Sequence, residues 1–214
     1  MNNSEIKTIL ITGINGEVGV SVSKKFKDLG WKVIGIDLTP KAEIKIVEEI
    51  DAYYSCDVTN RANLVELVKN IEVEKGAITA LFMAVQFDNQ LNKGFLDTSM
   101  EEWQMMLNSW LKASANACAA VGTSMKGRRN GRIMILTPDF SKLSGDCIMT
   151  ATAAGTLHGF IKSFGTEVAI DNVTVNGIFA NVPFDLEAIA ETAAYLVEEG
   201  GYITAQLISL RGKE

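Results

Sequence analysis

Short apolar runs alternate with segments of helical spacing along the whole chain, and no other sequence feature constrains the fold as strongly. Lys7–Thr12 (KTILIT), Lys32–Asp37 (KVIGID), Ala52–Cys56, Ala80–Val85 (ALFMAV), Arg132–Thr137 (RIMILT), Val173–Ala180 and Gln206–Leu210 read as strands. Between them, Glu17–Leu29, Arg61–Glu74, Ser99–Met125, Met149–Ile170 and Leu186–Glu198 read as helices, and a charged stretch from Pro40 to Ile50 precedes the third strand. A strand that is apolar throughout, rather than at every second residue, must be covered on both faces. Such strands separated by helices predict a parallel sheet between two helical layers. No internal repeat and no linker rich in Pro, Gly or Ser breaks the pattern, so residues 1–214 are expected to form one domain.

Composition narrows the possible partners. The chain has 214 residues, 47% of them apolar and 21% charged, enough to bury a substantial core. Its net charge of −6 argues against nucleic acid or an anionic membrane as a partner, because both need a basic surface. The opening MNNSEIKTILITG passes into a strand with no basic segment and no cleavable apolar stretch, and no apolar run approaches a membrane span. A cytoplasmic protein is expected. Cys56, Cys118 and Cys147 are odd in number and far apart, which predicts buried reduced thiols rather than disulfides or a zinc site. One histidine makes a His-rich metal site improbable, and no metal is expected.

The first strand runs into TGINGEVG, with Gly13, Gly16 and Gly19 at three-residue spacing. A glycine-rich turn that opens a helix lets the backbone approach a pyrophosphate, which then sits at the positive helix end. Asn15 belongs to the same turn. Asp37, at the tip of the second strand, suits the adenosine ribose hydroxyls and would repel a 2′-phosphate. Asp57 and Val58 follow the third strand, where Asp57 also suits an Asx turn before Thr59 and Asn60.

Together these residues resemble the short-chain dehydrogenase/reductase family, over nearly the whole chain. TGINGEVG is similar to the family's TGxxGxxG pattern, CDVTN to its adenine-contacting Asp-Val pair, and NGRIMILTP to the strand that leads to its active-site Ser. HGFIKSFGTEVA resembles its active-site helix, VTVNGIFAN its VNxIxPG segment, and GGYITAQLISLRG its closing segment. The resemblance implies a Rossmann-type doubly wound parallel sheet of about seven strands, with NAD contacted by Gly13, Asn15, Gly16, Gly19, Asp37, Asp57 and Val58.

The resemblance also implies that the chemistry is missing. Registering Gly159 and Glu167 on the helix puts Thr150 where the family has its catalytic Tyr, and Ala154 where it has its Lys. The family needs that pair because a phenol, which titrates near ~10, moves the proton only when a neighbouring ammonium lowers its pKa. The Ser is replaced by Thr137 or Pro138, the NNAG stretch by Met83-Ala84-Val85-Gln86, and the Pro-Gly by Ala180-Asn181. The family's helix Asn aligns with Trp110, with Asn108 close by. The segment that usually closes over substrate is shortened to Val182-Pro183-Phe184 before the next helix. The adenine half-site is retained and the nicotinamide half-site degraded.

His158, two turns beyond Thr150, is expected to be structural or at an interface, and Lys162 solvated. Asp139 and Lys142 are expected in a solvated loop. Met105, Met106 and Trp103 are expected in core or interface. Ala113, Ala115, Ala117, Ala119 and Ala120 on one long helix, and Ala151, Ala153, Ala154 and Gly155 on the other, are small enough for close helix contact. In the family, helices corresponding to 99–125 and 149–170 form the interface of a dimer or tetramer. The expected function is a catalytically inactive subunit, or pseudoenzyme, that assembles through these helices with an active short-chain dehydrogenase paralogue. The alternative is an active NAD(H)-dependent alcohol dehydrogenase or ketoreductase with non-standard catalytic groups.

Overall fold

The computed structural model describes residues 7–84, 93–139, 147–180 and 183–210. Seven parallel strands form one sheet in the order β3-β2-β1-β4-β5-β6-β7. They are β1 (Thr8–Thr12), β2 (Lys32–Asp37), β3 (Ala52–Ser55), β4 (Ile78–Met83), β5 (Gly131–Thr137), β6 (Val173–Phe179) and β7 (Leu207–Ser209). The helices are α1 (Glu17–Asp28), α2 (Arg61–Lys75), α3 (Met100–Leu107), α4 (Ala113–Arg128), α5 (Ile148–Val168) and α6 (Leu186–Glu198). The fold is the Rossmann-like, doubly wound α/β domain that the sequence predicts.

Helix faces explain the layering. On α1, Val18, Val22 and Phe26 recur every four residues and pack beside Ile189, Ala193 and Leu196 of α6 against one face of the sheet. Leu64, Val68 and Ile71 of α2, Val121 and Met125 of α4, and Leu157 and Ile161 of α5 cover the other face. The strands serve both layers: on β1, Ile9 and Ile11 face the α1/α6 side and Leu10 the opposite side. Burying apolar surface on two faces at roughly 25 cal/mol per Å² dominates the stability of this architecture.

The predicted helix Ser99–Met125 is interrupted. Ser99 caps α3 through a reciprocal pair of hydrogen bonds with Glu102, then Asn108–Lys112 forms a π-helical turn before α4 begins. A π turn inserts one extra residue and re-aims the side chains that follow, which periodicity alone does not reveal. None of the three cysteines is in a disulfide, and Cys118 and Cys147 are buried, but Cys56 is only half-buried at the sheet's carboxyl edge. Its expected full burial is therefore corrected. Met106 is buried and Trp103 packs against the same core, whereas Met105 is exposed.

Candidate functional site

The strand order reverses between β1 and β4, and the carboxyl ends of the strands there open a crevice, the usual ligand position in such sheets. The turn after β1 is built on two glycines. Gly13 has φ +69°, and a Cβ there would lie 2.5 Å from the Ala84 carbonyl oxygen. A Cβ on Gly19 would lie 2.6 Å from the Gly13 oxygen and 2.7 Å from Ile14 Cα, so the helix start packs directly on the turn. The Gly16 N–H donates to the Gly13 oxygen at 3.1 Å. Gly16 caps α1 without any side-chain hydrogen bond, leaving the first-turn N–H groups facing an anion position. Glu17 is exposed.

Asp37 ends β2 and organises this edge. Its Oδ2 accepts the Asn15 N–H at 3.0 Å, and its Oδ1 accepts the Leu38 N–H at 2.8 Å. A carboxylate has lone pairs beyond these, so capacity remains for hydroxyl donors. The Asn15 side chain turns away from the crevice. Its Nδ2 donates to Thr39 Oγ1 at 2.6 Å and to the Tyr53 hydroxyl at 3.3 Å, and its Oδ1 accepts the Glu43 N–H at 3.0 Å. Asn15 is therefore a latch between the turn and the segment after β2, and only its backbone lies in the turn.

Between these elements lies a cavity of about 240 Å³, lined by Gly13, Asp37, Cys56, Asp57, Val58, Thr59, Ala84 and Ser109, among others. Asp57 Oδ1 accepts the Thr59 N–H at 2.8 Å, so it forms the Asx turn while also lining the cavity. The buried Asn116 of α4 donates through Nδ2 to the carbonyls of Val58 and Thr59, both at 3.0 Å. Burial pushes the Cys56 thiol pKa up, and the Asp57 charge adds to it.

The β5–β6 side of the edge is different. Thr137 is 0% exposed, and its Oγ1 has no hydrogen-bond partner among the described residues. Its carbonyl accepts the Ala180 N–H at 3.1 Å. On α5, Thr150 is half-buried and Ala154, one turn later, is 0% exposed. Lys162 is exposed, and the His158 ring meets Phe179 edge-on at 6.4 Å. Trp110 lies in the core cluster that contains Met149 and Ala153 of α5. Asp139, expected in a solvated loop, is 3% exposed and accepts a hydrogen bond from Ser209 Oγ at 2.7 Å. Parallel pairing sets Thr137, Phe179 and Ser209 in register at the strand ends, which brings Ser209 of β7 within reach of Asp139 and corrects the expectation. Lys142, Val85, Gln86, Asn181 and Val182 lie outside the described residues.

Among the predicted residues, Gly13, Asp37, Asp57 and Val58 line the cavity, and Gly16 and Gly19 shape the turn and helix start beside it. Thr137, Thr150 and Ala154 belong to the separate β5–α5 region. Sequence reasoning missed Tyr53, Asn116 and Ser209. Asn116 left one signal, a single amide inside the small-residue run ASANACAA; the other two left none. Among the described residues no cluster of His, Cys, Asp and Glu could hold a metal, and no helix is long and apolar enough to cross a membrane.

Comparison with known proteins agrees with this geometry. A profile described as short chain dehydrogenase matches residues 7–182. The 3-oxoacyl-[acyl-carrier-protein] reductase FabG of Escherichia coli (strain K12) is 26% identical, with 98% of each chain covered. The acetoacetyl-CoA reductase of Acinetobacter sp. (strain RA3849) is also 26% identical, again with 98% of each covered. Among solved structures, NAD+-bound xylitol dehydrogenase superposes with a TM-score of 0.86 at 18% identity, covering 97% of this chain and 98% of that one.

Proposed function

This chain belongs to the short chain dehydrogenase family, and we propose that it is a catalytically silent member that works as a subunit beside an active paralogue. What supports this reading is α5: with Gly159 and Glu167 setting the register of the resemblance, the family's Tyr and Lys fall on Thr150 and the fully buried Ala154, one turn apart. An aliphatic hydroxyl is far too weak an acid to replace a phenol near neutral pH, and a buried methyl group supplies neither charge nor a ribose contact. Of Thr137 and Pro138, the two residues that share the Ser position, Thr137 has its hydroxyl buried without a described partner and Pro138 has no hydroxyl.

The adenosine half of a dinucleotide fits the residues present. The absent Cβ at Gly13, the uncapped start of α1 and the Asp37 carboxylate together favour NAD, with its free 2′-hydroxyl, over NADP. When bound, the nicotinamide ring would supply or accept a hydride. This chain's own residues would hold the adenosine and phosphates, and neither Thr150 nor Ala154 would serve as a proton donor matched to that ring. Nucleotide binding without turnover suits a structural or sensing subunit.

Ala115, Ala119 and Ala120 on α4, and Ala151 and Gly155 on α5, are not fully buried in the single chain. These small residues support assembly through α3, α4 and α5, in a dimer or tetramer that includes the paralogue. A cytoplasmic location goes with this reading. Purification from the native cells tests it: a second short chain dehydrogenase should accompany the chain in stoichiometric amounts. A lone homo-oligomer that oxidises NADH at enzymatic rates would overturn it.

The buried Asp139–Ser209 pair favours one alternative, an active ketoreductase with relocated acid–base groups. It agrees with the reductase activities named for both relatives. NADH turnover by the purified chain, abolished in Asp139→Asn, would decide for it.

A further inference from the structure

At the amino-terminal edge of the sheet, opposite the dinucleotide crevice, lies a larger cavity of about 580 Å³. Lys7, Lys32, Lys75 and Arg128 line it together with Thr79 and Asn130, and no carboxylate belongs to its lining. This concentration of cations occurs in a chain whose net charge is −6. Part of it has an internal explanation. Arg128 pairs with Glu72 at 3.1 Å and donates to the Ile78 carbonyl, and Lys7 pairs with Glu198 at 2.8 Å. Lys32 Nζ meets only a neutral acceptor among the described residues, the Lys75 carbonyl at 2.6 Å, and Lys75 has no carboxylate partner there. Each helix C-terminus at this edge offsets only about half a charge, so the cavity stays positive.

A second feature points the same way. A smaller cavity adjoins the first and shares Lys7, Thr79 and Asn130 with it. Arg132 lines this second cavity together with Glu198, whose carboxylate is taken up by Lys7 and Trp31, and the buried Nε of Arg132 has no hydrogen-bond partner among the described residues. A buried guanidinium N–H without an acceptor is costly, and an anion reaching in from the joined cavities would supply one. The volume suits a small metabolite rather than a single ion, since ligand cavities run from about 300 to 1,000 Å³.

We propose that this cavity binds a small polyanion, bearing phosphate or several carboxylates, at a site remote from the dinucleotide crevice. Lys32 and Lys75 supply the uncompensated charge, Asn130 a neutral hydrogen bond, and Arg132 the inner donor. A bound polyanion would bridge the start of β2 and the end of α2, so it would also stabilise the folded chain.

Calorimetric titration of the purified chain with inorganic pyrophosphate, and separately with citrate, tests the site at low and at raised salt. One equivalent should bind, more weakly as salt screens the cations. Lys75→Gln should weaken binding about tenfold, the usual scale for losing one charge-assisted hydrogen bond. Lys75→Gln keeps the backbone carbonyl that Lys32 uses, so folding should be unaffected; Lys32→Gln provides an independent second reading. Tighter pyrophosphate identifies a phosphate-bearing ligand, tighter citrate a polycarboxylate, and either result supports the site. No binding of either probe, or binding indifferent to both substitutions, overturns it. Indifference would also expose pyrophosphate bound at the glycine turn instead.

Discussion

The Asn15 N–H donates to Asp37 Oδ2 at 3.0 Å, tying the glycine turn after β1 to the tip of β2. This one bond fixes the mouth of the crevice, because the same carboxylate also accepts the N–H groups of Leu38 and Thr39. Asp37→Ala should lower stability by about 1–3 kcal/mol, the scale for backbone donors losing an ionised acceptor. It should also weaken NADH binding by tenfold or more. Thermal unfolding and calorimetric titration measure the two effects separately.

The Asn15 side chain gives a prediction about local order. Asn15→Ala removes the acceptor of the Glu43 N–H and the donor to Thr39 Oγ1. Amide exchange at Glu43 should accelerate well beyond the change at core strand amides, since the segment after β2 opens without global unfolding. Uniform acceleration across the sheet would mean that the latch stabilises the whole fold instead.

Asn116 should be costly to remove. In Asn116→Leu the carbonyls of Val58 and Thr59 lose their α4 donor, and a larger apolar side chain enters a packed site. A loss of about 2–4 kcal/mol is expected, combining an unsatisfied polar group with overpacking. Denaturant unfolding at constant slope measures it.

Thr137 should behave oppositely. Its buried Oγ1 has no described partner, so Thr137→Val removes a desolvated hydroxyl without breaking a described bond. Stability should stay level or rise by about 1 kcal/mol. A destabilised variant would reveal a hydrogen-bonded hydroxyl, and a loss of NADH turnover would favour the enzymatic alternative.

Glu198 sets part of the acid limb of stability. Burial pushes its carboxyl up, but hydrogen bonds from Lys7 Nζ and Trp31 Nε1, with the Lys7 charge, outweigh burial and hold it below the ordinary glutamate range. A folded pKa below the unfolded one gives stability that is complete above the unfolded value and lost as pH falls through the folded value. The pair is partly exposed, so Glu198→Gln should cost no more than about 1 kcal/mol near neutrality. Its destabilisation relative to the parent should shrink as pH falls below about 4.5, which denaturant titrations across that range would record.

The sequence by itself determined the sheet, its helices and the glycine turn, because each rests on local pattern. Apolar strands such as TILIT force coverage on both faces, and Val18, Val22 and Phe26 can form one stripe only in a helix. Gly13 and Gly19 were legible because their spacing after a strand reports a backbone conformation, and Asp37 because it ends the next strand. Thr150 and Ala154 were visible one turn apart on the long apolar helix, as the residues on which the proposed silence rests. What only the tertiary structure decided is which polar groups meet. Asn15 faces Tyr53, Asn116 holds the carbonyls after β3, and Ser209 reaches Asp139 across 70 positions of chain. Lys7, Lys32, Lys75 and Arg128 likewise gather only because parallel strands place all their starts, and the ends of the helices that precede them, at one edge. Hydrogen bonds and charges act over a few ångströms in space, and sequence periodicity carries no record of which distant segments the sheet brings within that range.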